Sequence, residues 1–175
     1  RDRRQSRGLG DVYKRQTTNN DVTGVWHSPD ISSPWTHRTS GQTGIIQYTP
    51  NDGNELGTAV DLWRTDRNAA LASYQHISTW NTKNVDDMES LFENATDFND
   101  DISRWNVSNV DNFEFMFQDA RAFNQDISGW DVSAEGEGLY GMFSGASSFN
   151  QDVSNWNTPS FMGTMFRGAT AFNNG

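Results

Sequence analysis

The chain has 175 residues, a formal net charge of −10, no cysteine and a mean hydropathy of −0.79. That is one domain's worth of chain, without thiols for a disulfide framework or a thiolate metal site. The charge is uneven. Six basic side chains among the first sixteen residues (Arg1, Arg3, Arg4, Arg7, Lys14, Arg15), against Asp2 and Asp11, leave the remainder at −14. A body this acidic repels nucleic acid and anionic membranes, so neither is expected as a partner. No apolar run approaches the length needed to cross a bilayer, and no direct membrane insertion is expected of this fragment.

Residues 1–16 read as a basic, disordered arm, similar to a translated adapter scar and set apart from the fold. Residues 17–50 are rich in Thr, Ser, Asn, Gly and Pro, and read as a flexible linker or the end of a preceding domain. His27 and His37 lie in this stretch, ten residues apart, and read as solvated loop histidines rather than as ligands. The chain looks cut at both ends, so a truncated C-terminus and missing targeting and anchoring segments are expected.

From residue 51 the texture changes. Leu56, Ala59, Val60 and Trp63 fall at i, i+3, i+4 and i+7, the stripe of an amphipathic helix, with Asp52 or Asn54 placed to cap it. A second helical stretch follows over 68–74. Residues 51–76 are therefore expected to form a helical N-terminal cap, because the first coil of a repeat stack needs a cover with a polar outer face.

The rest, 77–175, repeats one phrase about four times. Tryptophan recurs at Trp80, Trp105, Trp130 and Trp156, in steps of 25, 25 and 26. Phenylalanine recurs at Phe92, Phe117, Phe143 and Phe166, and a Phe-Asn pair closes each copy at Asn99, Asn124, Asn150 and Asn173. A unit this short cannot bury its own apolar face, so neighbouring copies must cover one another. Within a copy, Val85, Met88, Phe92 and Ala95 have helical offsets, repeated as Val110, Phe113, Phe117 and Ala120. Asp86-Asp87-Met88-Glu89 and Asp111-Asn112-Phe113-Glu114 read as capping boxes. Asp101-Ile102-Ser103 and its copies suit a short strand with one buried position. The predicted architecture is an α/β repeat: a leucine-rich-repeat-like solenoid with one short parallel strand and one short helix per coil. The third copy, with Glu135-Gly136-Glu137-Gly138 and an extra residue, predicts a bulging loop. The fourth, with Pro159, predicts a stiffened helix entry.

The phrase W-N-V-S-N-V-D-N-F-x-x-M-F-x-x-A-x-x-F-N-Q-D-I-S-x-W resembles the repeat of BspA-type leucine-rich-repeat surface proteins, also catalogued as a mycoplasma-type surface-protein repeat. The resemblance covers 77–173 and extends to about Leu56 through the lead-in phrases A-V-D-L-W and Y-x-H-I-S-x-W. It implies an extracellular or cell-surface protein that binds a protein or glycan on another surface, and it carries over no catalytic residue.

Three columns of recurring polar or aromatic residues are candidates for a site. The asparagines read as a structural ladder satisfying backbone groups. Asp101, Asp126 and Asp152 should stack, where like charges about 5 Å apart repel unless solvated, hydrogen-bonded or bridged by a cation. Calcium is the sharper reading of that column, but the Gly-rich calcium nonapeptide is absent and no metal or cofactor is assigned. The tryptophans read as a wedge sealing one edge of the core, with sugar stacking as the alternative.

Enzyme chemistry finds little to work with. His76, at the start of the first coil, is the only histidine beside the repeats, no serine sits in a nucleophile elbow, and the Asp101/Arg104 pair occurs once only, because the positions matching Arg104 are Gly129 and Asn155. The expected function is a non-catalytic module for adhesion or protein interaction. The alternatives are a carbohydrate-binding module using the Trp or Asp column, and an acidic structural spacer.

Overall fold

A computed structural model describes residues 47–133, 138–157 and 162–173, together with the backbone of two short strands at 26–27 and 36–37. The chain divides into two units, 1–48 and 49–175. In the first unit, β1 (Trp26–His27) and β2 (Thr36–His37) pair antiparallel, with Trp26 opposite His37 and His27 opposite Thr36. The basic arm, the Glu135 loop as far as Glu137, and Pro159 lie outside the described residues.

The second unit begins with two α-helices, the only ones among the described residues: α1 (Gly53–Thr65) and α2 (Arg67–Tyr74). Asp52 caps α1, its carboxylate accepting from the Glu55 N–H at 2.8 Å, while Glu55 reaches back to the Asn51 N–H at 3.1 Å. Asp66 ends one helix and starts the next: its N–H donates to the Leu62 carbonyl and its carboxylate accepts from the Ala69 N–H. The stripe Leu56, Ala59, Val60 and Trp63 is buried. Gly53 is required by close approach, because a Cβ there would collide with the carbonyl of Asp87 in the first coil. A single cluster ties α1 and α2 to that coil. Asp100 accepts from the Trp63 indole at 2.8 Å and from both ends of the Arg67 guanidinium at 2.9 Å, and that guanidinium lies 4.4 Å over the Trp63 ring.

Beyond Ile77 the structure corrects the expected architecture. The second unit contains no strand among its described residues, and Val85–Ala95 and its copies are not helices, so this is not an α/β leucine-rich-repeat-like solenoid with parallel strands. Each coil is instead a ribbon of overlapping turns. In the first, the N–H groups of Leu91, Glu93 and Ala95 donate to the carbonyls of Met88, Ser90 and Phe92, three residues back. The alternate N–H groups, of Met88, Ser90, Phe92 and Asn94, donate to Asn112, Glu114, Met116 and Gln118 in the next coil. The second coil repeats this toward the third through Phe115, Phe117 and Asp119, and the third toward the fourth through Gly141, Phe143 and Gly145. Among the described residues, isolated parallel bridges at Asp87–Asn112 and Asn112–Gly138 are all that remains of sheet pairing between coils.

The reason is backbone handedness. Every coil places two residues, four apart, in the left-handed region: Ser90 and Asn94, Phe115 and Asp119, Gly141 and Gly145, Thr164 and Gly168. A left-handed residue every fourth position breaks an α-helix and bends the chain into turns. The offsets of 3, 4 and 3 survive, because this ribbon also turns every third or fourth side chain inward. The expected strands are turns for a similar reason. Trp105 N–H donates to the Ile102 carbonyl at 3.0 Å, as Trp130 does to Ile127 and Trp156 to Val153.

The core is two columns of rings. Phe92, Phe117, Phe143 and Phe166 stack coil on coil at centroid separations of 5.4, 5.5 and 5.6 Å, with planes within 5°. Phe98, Phe123, Phe149 and Phe172 form the second column at 5.9 to 6.0 Å. The two meet within each coil at 3.9 to 4.0 Å. Burying each ring contributes about 2 kcal/mol, more than a buried alanine does, so the rings set the register.

Candidate functional site

The three columns marked in the sequence are placed differently from one another. All four tryptophans are buried, the most accessible, Trp156, at 6% exposure. The indole N–H of Trp105 donates to the Ile77 carbonyl of the preceding coil at 3.0 Å, and that of Trp156 to Ile127 at 3.2 Å. Trp130 has the same burial but its indole nitrogen has no hydrogen-bond partner. Rings held this way present no face for a sugar arriving from solvent.

The asparagines are the rungs between coils. The side-chain oxygens of Asn99, Asn124 and Asn150 accept from the backbone N–H of Asn124, Asn150 and Asn173 at 2.8, 2.8 and 2.9 Å. They replace a ladder bond where the chain turns away from its neighbour.

Asp101, Asp126 and Asp152 each accept from the N–H two residues on, at Ser103, Ser128 and Ser154, with distances of 2.9 to 3.0 Å. Asp131 does the same with Ser133. Serine hydroxyls and then these N–H groups hold all four carboxyls below the ordinary carboxylate range. In each, one carboxylate oxygen closes an Asx turn while the other faces solvent. Among the described residues, no three His, Asp or Glu side chains are placed so that together they could hold a metal ion.

A recess that sequence reasoning missed lies between α1 and the edge of the first coil. It is a groove of about 1260 Å³. Asp52 and Asp61 enter it from the helix, and Asp86, Asp87 and Glu89 from the first coil. Asp111 and Glu114 of the second coil complete its wall, and no basic side chain lines it. The ion pairs found among the described residues, Arg67–Asp100 and Arg121–Asp119, are elsewhere. Several of these acids were expected to cap helices. With no helix there, Asp87 and Asn112 accept from the N–H groups of Glu89 and Glu114, two residues on, at 2.9 and 3.0 Å. Seven carboxylates sharing one recess without a countercharge generate a strong negative potential, focused by the walls. The arrangement can attract and hold cationic groups.

A family model described as Mycoplasma protein of unknown function, DUF285, matches residues 61–175. The chain belongs to this family. The DUF285 match begins inside α1 and takes in every coil, so all the groove acids but Asp52 fall within it. It supports a mycoplasma-type repeat and gives nothing for the narrower BspA-type, leucine-rich reading. Neither the curated proteins nor the solved structures include a match to this chain. No helix among the described residues is long and apolar enough to cross a membrane.

Proposed function

We propose that this DUF285 chain is a non-catalytic cell-surface module that binds another protein and so mediates adhesion or protein–protein interaction. The observation that carries the reading is the division of labour in the coils. The recurring Trp, Phe and Asn residues are consumed in stacking, while the groove keeps its carboxylates free of countercharge. A charge concentration that destabilises the fold by self-repulsion is retained where it serves an outside partner. The buried indoles favour a protein partner over a sugar stacked on the Trp column.

Beads coated with the chain, incubated with intact host cells, test this. Binding should disappear after mild protease treatment of the cells and survive glycosidase treatment. Loss with glycosidase alone, or no binding to any cell surface, contradicts the reading.

A further inference from the structure

The coil-to-coil bonds have a direction, and the first coil has an unmatched edge. Each coil donates alternate N–H groups forward, and accepts from the coil before it on the carbonyls that precede them. Met116 accepts from Phe92, Met142 from Phe117, and Met165 from Phe143. The equivalent first-coil carbonyl is that of Leu91, with Glu89 and Glu93 two residues to either side. No donor among the described residues reaches these three carbonyls. Glu89 and Leu91 lie in the groove wall, opposite Gly57 and Thr58 of α1.

Resting on the protein-binding reading above, we propose that this edge takes a short, extended, lysine- or arginine-rich peptide segment as an added rung. Backbone N–H groups of alternate residues in the segment donate to the carbonyls of Glu89 and Leu91, as a preceding coil would. Cationic side chains of the segment lie among Asp61, Asp87, Asp111 and Glu114. Two features select this occupant. The three edge carbonyls are acceptors, so the ligand must supply main-chain donors, and every charged side chain of the wall is acidic, so the ligand must be cationic.

A whole coil from a second copy does not fit. Phe92 is fully buried although no coil precedes it among the described residues, whereas Phe166 of the last coil is only partly buried. With α1 lining its other side, the groove of about 1260 Å³ has room for a short segment rather than a whole coil. Gly57 has open space around its Cβ position, which leaves the groove wide there.

The test uses the whole chain and a fluorescent octapeptide of alternating lysine and threonine, titrated by anisotropy. Two derivatives carry N-methyl groups on the lysine amides or on the threonine amides, so charge is constant while one set of donors is lost. One derivative should bind about tenfold or more weakly and the other as well as the parent. Gly57→Trp, whose Cβ enters open space and whose indole would occupy the groove, and the Asp61→Asn/Glu89→Gln/Glu114→Gln variant should each weaken binding about as much, with thermal midpoints no lower than that of the parent chain. The proposal is overturned if both derivatives bind like the parent, which means capture by charge alone. It is overturned also if the unmodified peptide does not bind, or if the groove instead closes in a Gly57→Trp-sensitive dimer. Peptide binding without attachment to cells removes the surface-module reading and leaves the groove standing. Attachment undiminished in Gly57→Trp does the reverse.

Discussion

Two substitutions of the same kind, Trp105→Phe and Trp130→Phe, should differ in cost because one indole is bonded and the other is not. Both rings are nearly buried, at 3% and 4% exposure, and both sit on the same corner of successive coils. Shrinking indole to benzene removes similar packing at each site, on the order of 1–2 kcal/mol. At Trp105 the change also deletes the 3.0 Å bond to the Ile77 carbonyl. That carbonyl keeps the Trp80 N–H at 3.2 Å, so the further loss is one net hydrogen bond, about 1 kcal/mol. At Trp130 the deleted N–H is buried with no acceptor, and removing it relieves a desolvation cost of about 1 kcal/mol. The variants should therefore differ by about 2 kcal/mol, with Trp130→Phe close to neutral. Urea denaturation followed by circular dichroism reads this as a separation of midpoints at unchanged slope. Equal destabilisation by the two substitutions would mean that the Trp130 indole is as well bonded as that of Trp105.

The left-handed positions and the Asp100 cluster give further outcomes. Gly145→Ala should destabilise by about 1–2 kcal/mol from φ +75° alone, and more because the new Cβ meets the Asp119 carboxylate; calorimetry checks it against Gly129→Ala, where the Cβ meets nothing and little change is expected. Asn124→Ala should cost about 1–2 kcal/mol in the same assay, since the Asn150 N–H loses its acceptor and Gln151 a partner. At Asp100, burial raises the carboxyl pKa, but hydrogen bonds from Arg67 and Trp63 and the charges of Arg67 and His76 outweigh it and leave the pKa lowered. A carboxyl lowered in the folded state adds stability above its ordinary range, and that stability is lost as pH falls through the lowered value. Acid titration of thermal stability should therefore show a step below about pH 4 that is reduced in Asp100→Asn; an unchanged step would contradict this.

The period was legible because Trp, Phe and Asn each do one packing job per coil, and a job repeated in space must repeat in sequence. The helix stripe of α1 was legible for the same reason, and Asp52 caps it as its type and place suggest. The coil backbone was not legible. Offsets of 3, 4 and 3 at Val85, Met88, Phe92 and Ala95 suit an α-helix and a turn ribbon alike. The distinguishing signal lay in the residues two after each column Phe, namely Asn94, Asp119, Gly145 and Gly168, all types that tolerate a left-handed backbone. Ile102 looked like a strand residue because it is β-branched and buried, yet its carbonyl closes a turn onto Trp105. The groove was hidden for another reason. Its acids come from one helix and two coils, and several had a sufficient local explanation as helix caps.

Each coil bonds forward to the next through alternate residues of a turn ribbon around stacked phenylalanines. Scalar couplings across hydrogen bonds, measured on the isotope-labelled chain, test it most directly. Couplings are expected from the Phe92, Phe117 and Phe143 nitrogens to the carbonyl carbons of Met116, Met142 and Met165. Couplings from those nitrogens to carbonyls four residues back, as in a helix, would contradict it.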